Sequence, residues 1–347
     1  MFKKITTLKG IYSTVVFTQN RFFFVGNLNK GVQCWDLTGE HRFWIDDYKS
    51  SICKLYDNQI IASNLHFYNL QGNVIFQNEK TERYMFELID EDRSVWKTVN
   101  MELKIALFHI FDHYKKEFIL ESIRLDGVPR VFKNEFLIYL NKSDEVVCYN
   151  YLNKEIVWTK EIAQTCEYID NWNGKTCQGE VRHFKLFNDE LVLLMCKSSK
   201  VFCVEISTGK VAWENEIYAD KEYIVVDDIA FAYSNGGSIH KIDLKTGKSL
   251  HENKQWHQLA KMPEYNGLHI STNTDKMIYH NGLLWALVFS NGYSFVVAIN
   301  PFDYYYEMIM KVDSNDKIMN IQFYDNYMYL SSSSNELLIY EKEQMEE

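Results

Sequence analysis

The chain has 347 residues, of which 46% are hydrophobic and 15% aromatic, and its formal net charge is −10. That excess of acid argues against nucleic-acid binding, which depends on neutralising phosphates with Lys and Arg. No apolar stretch reaches the roughly 18 residues of a membrane helix, and the apolar content is sufficient for one large core.

The chain repeats a unit of short strands. Each of eight strand-like runs ends at an anchor residue, and another such run precedes it; the anchors are Asp36, Asn69, Asp112, Asn150, Glu205, Asp243, Asn300 and Tyr340. β-branched and aromatic residues dominate these runs, which favours strands over helices. Four strands in about 43 residues is the size of one β-propeller blade. The sequence therefore predicts an all-β fold, a single β-propeller domain over residues 1–347.

The last unit has three strands and then ends in a polar tail, EKEQMEE. Phe2–Leu8 has the length and alternation to supply the missing fourth strand beside the strand around Leu337–Tyr340. Such pairing would protect strand edges that would otherwise be exposed. We predict eight four-stranded blades closed by this N-terminal strand, with seven blades as the alternative.

Two positions recur within the units. Cys34, Cys148 and Cys203 each lie two residues before an anchor, and buried Cys behaves as a small hydrophobe. Trp158 and Trp213 each lie eight residues after an anchor. Because they recur at one position of the repeat, we predict that both tryptophans pack between blades.

The clearest copy of the unit is Cys203–Trp213, CVEISTGKVAW. It resembles the repeat of quinoprotein-like, or PQQ-repeat-like, β-propellers, which is roughly A-x-D-x-x-T-G-K-x-x-W. Thr208, Gly209 and Lys210 match this pattern directly. Quinone-dependent enzymes of this family hold a quinone and a calcium ion, often near a disulfide of adjacent cysteines, and this chain has no adjacent cysteine pair. The resemblance therefore implies the scaffold along most of the chain, and no cofactor.

Two connections are longer than the repeat requires, Ala163–Glu180 and His251–Lys276. Long loops on a rigid scaffold commonly carry function, and aromatic side chains dominate interface hot spots. We predict that a partner-binding site in these loops contains Asn171, Trp172, Trp256, His257 and Tyr265. The alternative is that the loops pack their own aromatic residues over a blade edge.

Candidate metal and catalytic residues are few. Cys166 and Cys177 lie in the first long connection, and we expect both to be free thiols. A disulfide between them remains open if the protein is exported. A zinc site would need more ligands than these two cysteines and His183, the one nearby candidate. His109 and His113 lie four apart on a predicted strand, about 13 Å from each other, too far to share a metal ion. No GxSxG, P-loop or GxGxxG pattern occurs. We therefore predict neither a catalytic nor a metal site.

The N-terminus MFKKITTLKG has no apolar run typical of a signal peptide. Seven cysteines, an odd number, fit a reducing compartment. These features indicate a cytoplasmic protein that binds neither membrane nor nucleic acid.

Three functions remain open. The first is a non-catalytic protein-binding propeller, in its concrete form an immunity protein that neutralises a basic toxin, which an acidic surface would attract. The alternative is a small-ligand-binding or quinone-dependent oxidoreductase-like propeller that uses its central channel. The third is an assembly scaffold like the propeller lipoprotein of outer-membrane biogenesis, against which the absence of an early lipidation-type cysteine counts.

Overall fold

The computed structural model describes residues 2–11, 15–27, 31–45, 53–56, 59–62, 66–77, 84–90, 92–100, 105–162, 166–169, 173–196, 200–217, 223–233, 239–250, 264–270, 274–303 and 305–343. Short antiparallel strands joined by tight turns make up most of these residues. Within them, no helix has the length and apolar character needed to span a membrane.

The first strand is β1 (Phe2–Lys9), and three four-stranded sheets follow it in the chain. The first sheet contains β2 (Val16–Phe17), β3 (Phe22–Asn27), β4 (Gly31–Asp36) and β5 (His41–Ile45). The second contains β6 (Cys53–Tyr56), β7 (Gln59–Ala62), β8 (His66–Asn69) and β9 (Val74–Gln77). The third contains β10 (Tyr84–Leu88), β11 (Arg93–Asn100), β12 (Ile105–Asp112) and β13 (Glu117–Arg124).

The next two sheets are separated by a small hairpin. The fourth sheet contains β14 (Val128–Lys133), β15 (Phe136–Leu140), β16 (Val146–Asn150) and β17 (Glu155–Lys160). The hairpin pairs β18 (Tyr168–Ile169) with β19 (Thr176–Cys177). The fifth sheet contains β20 (Val181–Phe187), β21 (Leu191–Cys196), β22 (Lys200–Glu205) and β23 (Val211–Glu216).

A second small hairpin lies between the sixth and seventh sheets. The sixth sheet contains β24 (Tyr223–Val226), β25 (Ile229–Tyr233) and β26 (Ile239–Asp243). The hairpin pairs β27 (Glu264–Tyr265) with β28 (Leu268–His269). The seventh sheet contains β29 (Thr274–His280), β30 (Leu283–Ser290), β31 (Tyr293–Ile299) and β32 (Tyr306–Lys311). The last contains β33 (Ile318–Tyr324), β34 (Tyr327–Ser332) and β35 (Glu336–Lys342), together with β1.

The prediction of eight four-stranded blades is wrong, because seven of the described sheets have four strands and the sixth has three. In the sixth unit the chain after β26 makes a single bridge, Ile242 to Ser249, and one backbone hydrogen bond from Leu250 N to Lys241 O of 3.0 Å. His251 replaces the tryptophan of the repeat at this point, and residues 251–263 lie outside the described part of the chain. Seven blades, the predicted alternative, is the number of complete four-stranded sheets.

The chain divides into two compact units. One comprises Met1–Glu121, Ala286–Val297 and Met308–Glu347, and the other comprises Ser122–Trp285 and Ala298–Glu307. A single domain over residues 1–347 therefore stays a prediction.

The predicted pairing of the N-terminal strand is confirmed. β1 runs antiparallel to β35, with Phe2 opposite Lys342 and Leu8 opposite Leu337. Leu8 packs in a buried apolar cluster that also contains Leu337 and Ile339. The N-terminal strand thus completes the last sheet both by backbone pairing and by apolar burial.

The repeat positions occupy equivalent places in their sheets. Cys148 lies opposite Trp158, and Cys203 lies opposite Trp213. A break in strand register follows the cysteine in both sheets, and the same break follows Cys34. The small cysteine therefore makes room for a large side chain on the neighbouring strand.

Trp158 and Trp213 pack between neighbouring sheets, as predicted. Trp158 Nε1 donates to Ile206 O at 2.7 Å, and its ring lies against Gly209, whose φ is +70°. A Cβ at Gly209 would lie 2.7 Å from this ring. The glycine thus serves both the turn, where it adopts the left-handed conformation, and the tryptophan. Trp213 makes the same 2.7 Å bond to Leu244 O.

Thiol labelling of the native protein tests the burial of the repeat cysteines. Burial raises the pKa of Cys34, Cys148 and Cys203 to about 12, and the thiolate is the reactive form. All three should react slowly with a maleimide, whereas the half-buried Cys177 should react early. Rapid labelling of the three repeat cysteines in folded protein would refute their placement.

Candidate partner-binding face

Four of the five predicted partner-site residues, Asn171, Trp172, Trp256 and His257, lie outside the described residues. Tyr265 is half-buried in β27 and pairs with Leu268 across a turn formed by Asn266 and Gly267. Both turn residues have positive φ angles, 50° and 77°, as expected for an Asn-Gly hairpin turn. Tyr265 is therefore the one residue of the predicted site that the described part of the chain includes.

The first long connection contains the β18–β19 hairpin. Tyr168 lies opposite Cys177, and Ile169 is 66% exposed. Below the hairpin, Cys166 is fully buried, and the position of a Cβ at Gly179 would overlap Cys166. The connection thus has a buried base and an exposed apolar residue above it.

A cleft of about 270 Å³ lies between the starts of β14 and β20. Its lining combines apolar and charged side chains; it includes Asp126, Val128, Arg130, Asn141, Lys142, Val181, Arg182 and Phe184. The connection that contains β18 and β19 leads directly into Val181, so the hairpin and the cleft are continuous in the chain. We name the hairpin and the cleft together the loop face.

The cleft carries an excess of positive charge in a protein of net charge −10. Arg130, Lys142 and Arg182 are exposed cations of its lining. Arg182 lies 3.5 Å from Glu180, while Arg130 and Lys142 form no ion pair with any residue of the described ranges. The loop face can therefore receive a negatively charged group.

Asp126 is the acidic member of the lining. Burial, together with the nearby Asp126 carboxylate, raises the pKa of Tyr139 above its ordinary value. Asp126 is thereby engaged with a neighbouring side chain. Arg130 and Lys142 therefore have no carboxylate partner among the described residues.

A second cleft, of about 290 Å³, lies at the opposite ends of the same two sheets. Its lining includes Asp189, Glu190 and Glu205. Lys133 donates to Asp189 at 2.6 Å, and Thr208 Oγ1 donates to Glu205 at 2.5 Å. The two ends of this blade junction thus carry opposite charge, with cations at the loop face and carboxylates at the turns.

Sequence reasoning missed the cationic cleft because its residues come from three separate segments. Arg130 lies in β14, Lys142 in the turn after β15, and Arg182 in β20. Each is one of 37 Lys and Arg residues, with no motif around it. To predict the cleft from the sequence, one would have to know which strand ends lie next to each other, here the starts of β14 and β20.

Two buried histidines, one on the third sheet and one just after β12, make separate side-chain hydrogen bonds to residues of β11. His109 lies on β12 and contacts Thr98 Oγ1 at 3.0 Å, and His113 Nε2 contacts Ser94 Oγ at 2.8 Å. Trp96 Nε1 donates to the same serine at 2.7 Å. Across the described residues, no group of three or more His, Cys, Asp or Glu side chains could hold a metal ion. The strand predicted around His109 is confirmed as β12, but it ends at Asp112, so His113 lies in the turn that follows.

The His113 network predicts a pH-dependent stability. Burial lowers the pKa of His113 from 6.5 to about 4, although Asp112, Asp90 and Asp92 act in the opposite direction. Between pH 6.5 and 4 the unfolded chain takes up a proton that the folded chain refuses, so stability should fall as pH falls through this window. The loss should be about 3 kcal/mol.

Denaturant unfolding of wild type and His113→Gln at several pH values isolates this contribution, because other groups titrate in both proteins. The difference in unfolding free energy between the two should shrink by about 3 kcal/mol from pH 7 to pH 4. A difference that does not change with pH would show that His113 is not held neutral.

Seven four-stranded antiparallel sheets, the glycine-containing turn after the anchor and the recurring tryptophan define the class of fold. The chain is a β-propeller of small antiparallel sheets.

The comparisons with known proteins agree with this class. A PQQ-repeat family model described as outer membrane protein assembly factor BamB matches residues 170–301. No curated protein sequence matches the chain.

Solved structures are similar over nearly the whole chain at low identity. The computationally designed Ika8 protein has 12% identity and a TM-score of 0.64, covering 97% of this chain and 99% of its own. Sqt1 of Saccharomyces cerevisiae has 10% identity and a TM-score of 0.62, covering 99% and 98%. BamB of Moraxella catarrhalis has 10% identity and a TM-score of 0.46, covering 100% and 99%. At such identities the likeness to the first two concerns the fold alone.

Proposed function

We propose that this chain is a non-catalytic β-propeller that binds another protein on its loop face. The observation that carries the proposal is the cationic cleft beside the hairpin with exposed Ile169. Arginine is enriched in protein interfaces and their hot spots. An exposed apolar residue beside a charged cleft supplies the two kinds of contact that such interfaces combine.

The cleft is large enough to receive a side chain of a partner. Its volume of about 270 Å³ is close to the lower end of the range of ligand pockets, roughly 300–1,000 Å³. A carboxylate or an aromatic side chain of a partner fits such a space. The match to a family model described as an assembly factor also agrees with a protein partner.

The concrete form of the proposal is a cytoplasmic immunity protein that neutralises a toxin. The net charge of −10 would attract a basic toxin and accelerate encounter. The cationic cleft would then hold an acidic group of that toxin and fix its orientation. The acidic surface would attract the toxin, and the cationic cleft would hold one of its acidic groups. Together these two contacts would make the interaction more specific than attraction by net charge alone.

The alternative, a small-ligand-binding or quinone-dependent oxidoreductase-like propeller, stays a prediction. Mass spectrometry and metal analysis of the purified protein would test it. A stoichiometric quinone or calcium ion would favour the alternative over the binding function.

Charge reversal tests the binding function. Arg130→Glu combined with Arg182→Glu should weaken a partner captured by the wild type by on the order of 30-fold or more. Lys154→Glu is the matched control, because Lys154 is exposed in the turn between β16 and β17, at the opposite end of the same sheet. Equal affinity of the double variant and the control would exclude the cleft.

The loop aromatics provide a second test of the same face. Trp172→Ala and Trp256→Ala should each weaken the binding of the partner by about 2 kcal/mol. Neither should change the melting temperature by more than a few degrees. Unfolding of both variants would assign these residues to the core. The toxin form is tested by co-expression with a candidate toxin, where the wild type should restore growth and the double charge-reversal variant should not.

A further inference from the structure

Two buried cysteines from different parts of the chain are in contact. Cys166 lies in the first long connection and Cys196 ends β21, and their Sγ atoms are 2.8 Å apart. Both side chains are fully buried, and neither cysteine is in a disulfide in the structure. The two sulfur atoms are thus in direct contact and closer than in an ordinary hydrogen bond that involves sulfur.

Local packing explains why these two cysteines meet. Cys196 lies opposite Val181 in the register of β20 and β21, so it sits where the first long connection enters the fifth sheet. Gly179 faces Cys166, and a Cβ at that position would overlap the cysteine. The absence of a side chain at Gly179 allows Cys166 to reach Cys196.

The contact closes the base of the connection. Gly179 lies against Cys166, so the two ends of this segment of the connection are in contact. The β18–β19 hairpin lies within this segment. A covalent bond between Cys166 and Cys196 would fasten the loop to β21.

The other described cysteines have different surroundings. Cys34, Cys148 and Cys203 each face an aromatic residue within their own sheet. Cys177 is half-buried and lies opposite Tyr168 in the hairpin. The sequence left a disulfide between Cys177 and Cys166 open, and in the structure Cys177 lies opposite Tyr168.

We propose that Cys166 and Cys196 form a reversible disulfide that fastens the base of this loop to the fifth sheet. With hydrogen peroxide as oxidant, the Sγ–Sγ bond forms and the O–O bond breaks. The two thiols give up two protons and two electrons, and hydrogen peroxide takes them up to form two water molecules. A small disulfide such as oxidised glutathione achieves the same oxidation by exchange and leaves as two thiols.

Burial makes this bond slow to form and slow to break. The hydrogen bond shared by the Cys196 and Cys166 thiols, together with burial, raises the pKa of Cys196 far above its ordinary value. Since the thiolate is the attacking species, oxidation follows opening of the loop base. Once closed, the same burial shields the disulfide from reductants.

Peptide mapping of the full-length wild-type protein tests the bond directly. Trypsin places the three relevant cysteines on separate peptides: residues 161–175 contain Cys166, residues 176–182 contain Cys177 and residues 186–197 contain Cys196. After equilibration with oxidised glutathione and alkylation, peptides 161–175 and 186–197 should appear as one linked species about 2 Da lighter than their sum. Reductant should release both.

Three variants serve as controls. Cys177→Ser should leave the linked species unchanged, while Cys166→Ser and Cys196→Ser should each abolish it. The wild-type map suffices if either of the last two variants fails to fold. A link between peptides 161–175 and 176–182, or full alkylation of all three cysteines after oxidation, would overturn the proposal.

Discussion

Trp158→Ala should lower the free energy of unfolding by about 3 kcal/mol, near the lower end of the range for Trp→Ala substitutions because the side chain is half-buried. The substitution removes the ring that packs on Gly209 and the 2.7 Å hydrogen bond to Ile206 O. Cys148 Sγ shares the same acceptor at 3.6 Å. Denaturant unfolding followed by circular dichroism measures the loss.

Two controls separate packing from hydrogen bonding. Trp158→Phe keeps an aromatic ring and removes the Nε1 donor, so it should lose about 1 kcal/mol. Trp44→Ala removes a tryptophan that is 58% exposed on β5 and should change stability by less than about 0.5 kcal/mol. If Trp158→Ala were as mild as Trp44→Ala, the tryptophan would not join the two sheets.

Deletion of residues 1–9 should cause the other large effect. It removes β1 and leaves β35 as an unpaired edge, and it uncovers Leu337 and Ile339 in their buried cluster. Exposed strand edges promote association with other chains. The truncated protein should aggregate on heating or unfold at a temperature many degrees below that of the full chain.

Deletion of the polar C-terminal residues 344–347 is the matched control, since it shortens the chain at its other end without removing a residue of β35. This variant should have the same melting temperature as the wild type. Equal melting of the N-terminal truncation and the wild type would contradict the role of β1 in the last sheet.

Much of the fold could be predicted from the sequence because the repeat is local. The anchor, the turn glycine and the following tryptophan lie within one stretch such as Cys203–Trp213, and the alternation of apolar residues places each strand. The blade count failed in the sixth unit, where Asp243 and Gly247 preserve the turn. The described residues that follow, up to Leu250, form one bridge, Ile242 to Ser249, and one backbone hydrogen bond in place of a fourth strand.

The candidate site was less predictable because it depends on contacts between segments. Loop length pointed to the first long connection, and the structure places exposed Ile169 there. Arg130 and Arg182 line the nearby cleft from two different sheets, and the sequence gives no sign that they lie close together. Cys166 and Cys196 likewise meet through strand register and the space left at Gly179, and no spacing rule connects them.

Photo-crosslinking tests the binding face most directly. A photoreactive amino acid replaces Ile169, which is 66% exposed on the loop face, or Tyr114, which is 88% exposed in the turn between β12 and β13. We expect the probe at position 169 to capture a discrete protein partner in the cells that make this chain, and the probe at position 114 to capture none. Capture of that partner from position 114 but not from position 169 would contradict a loop face that binds protein.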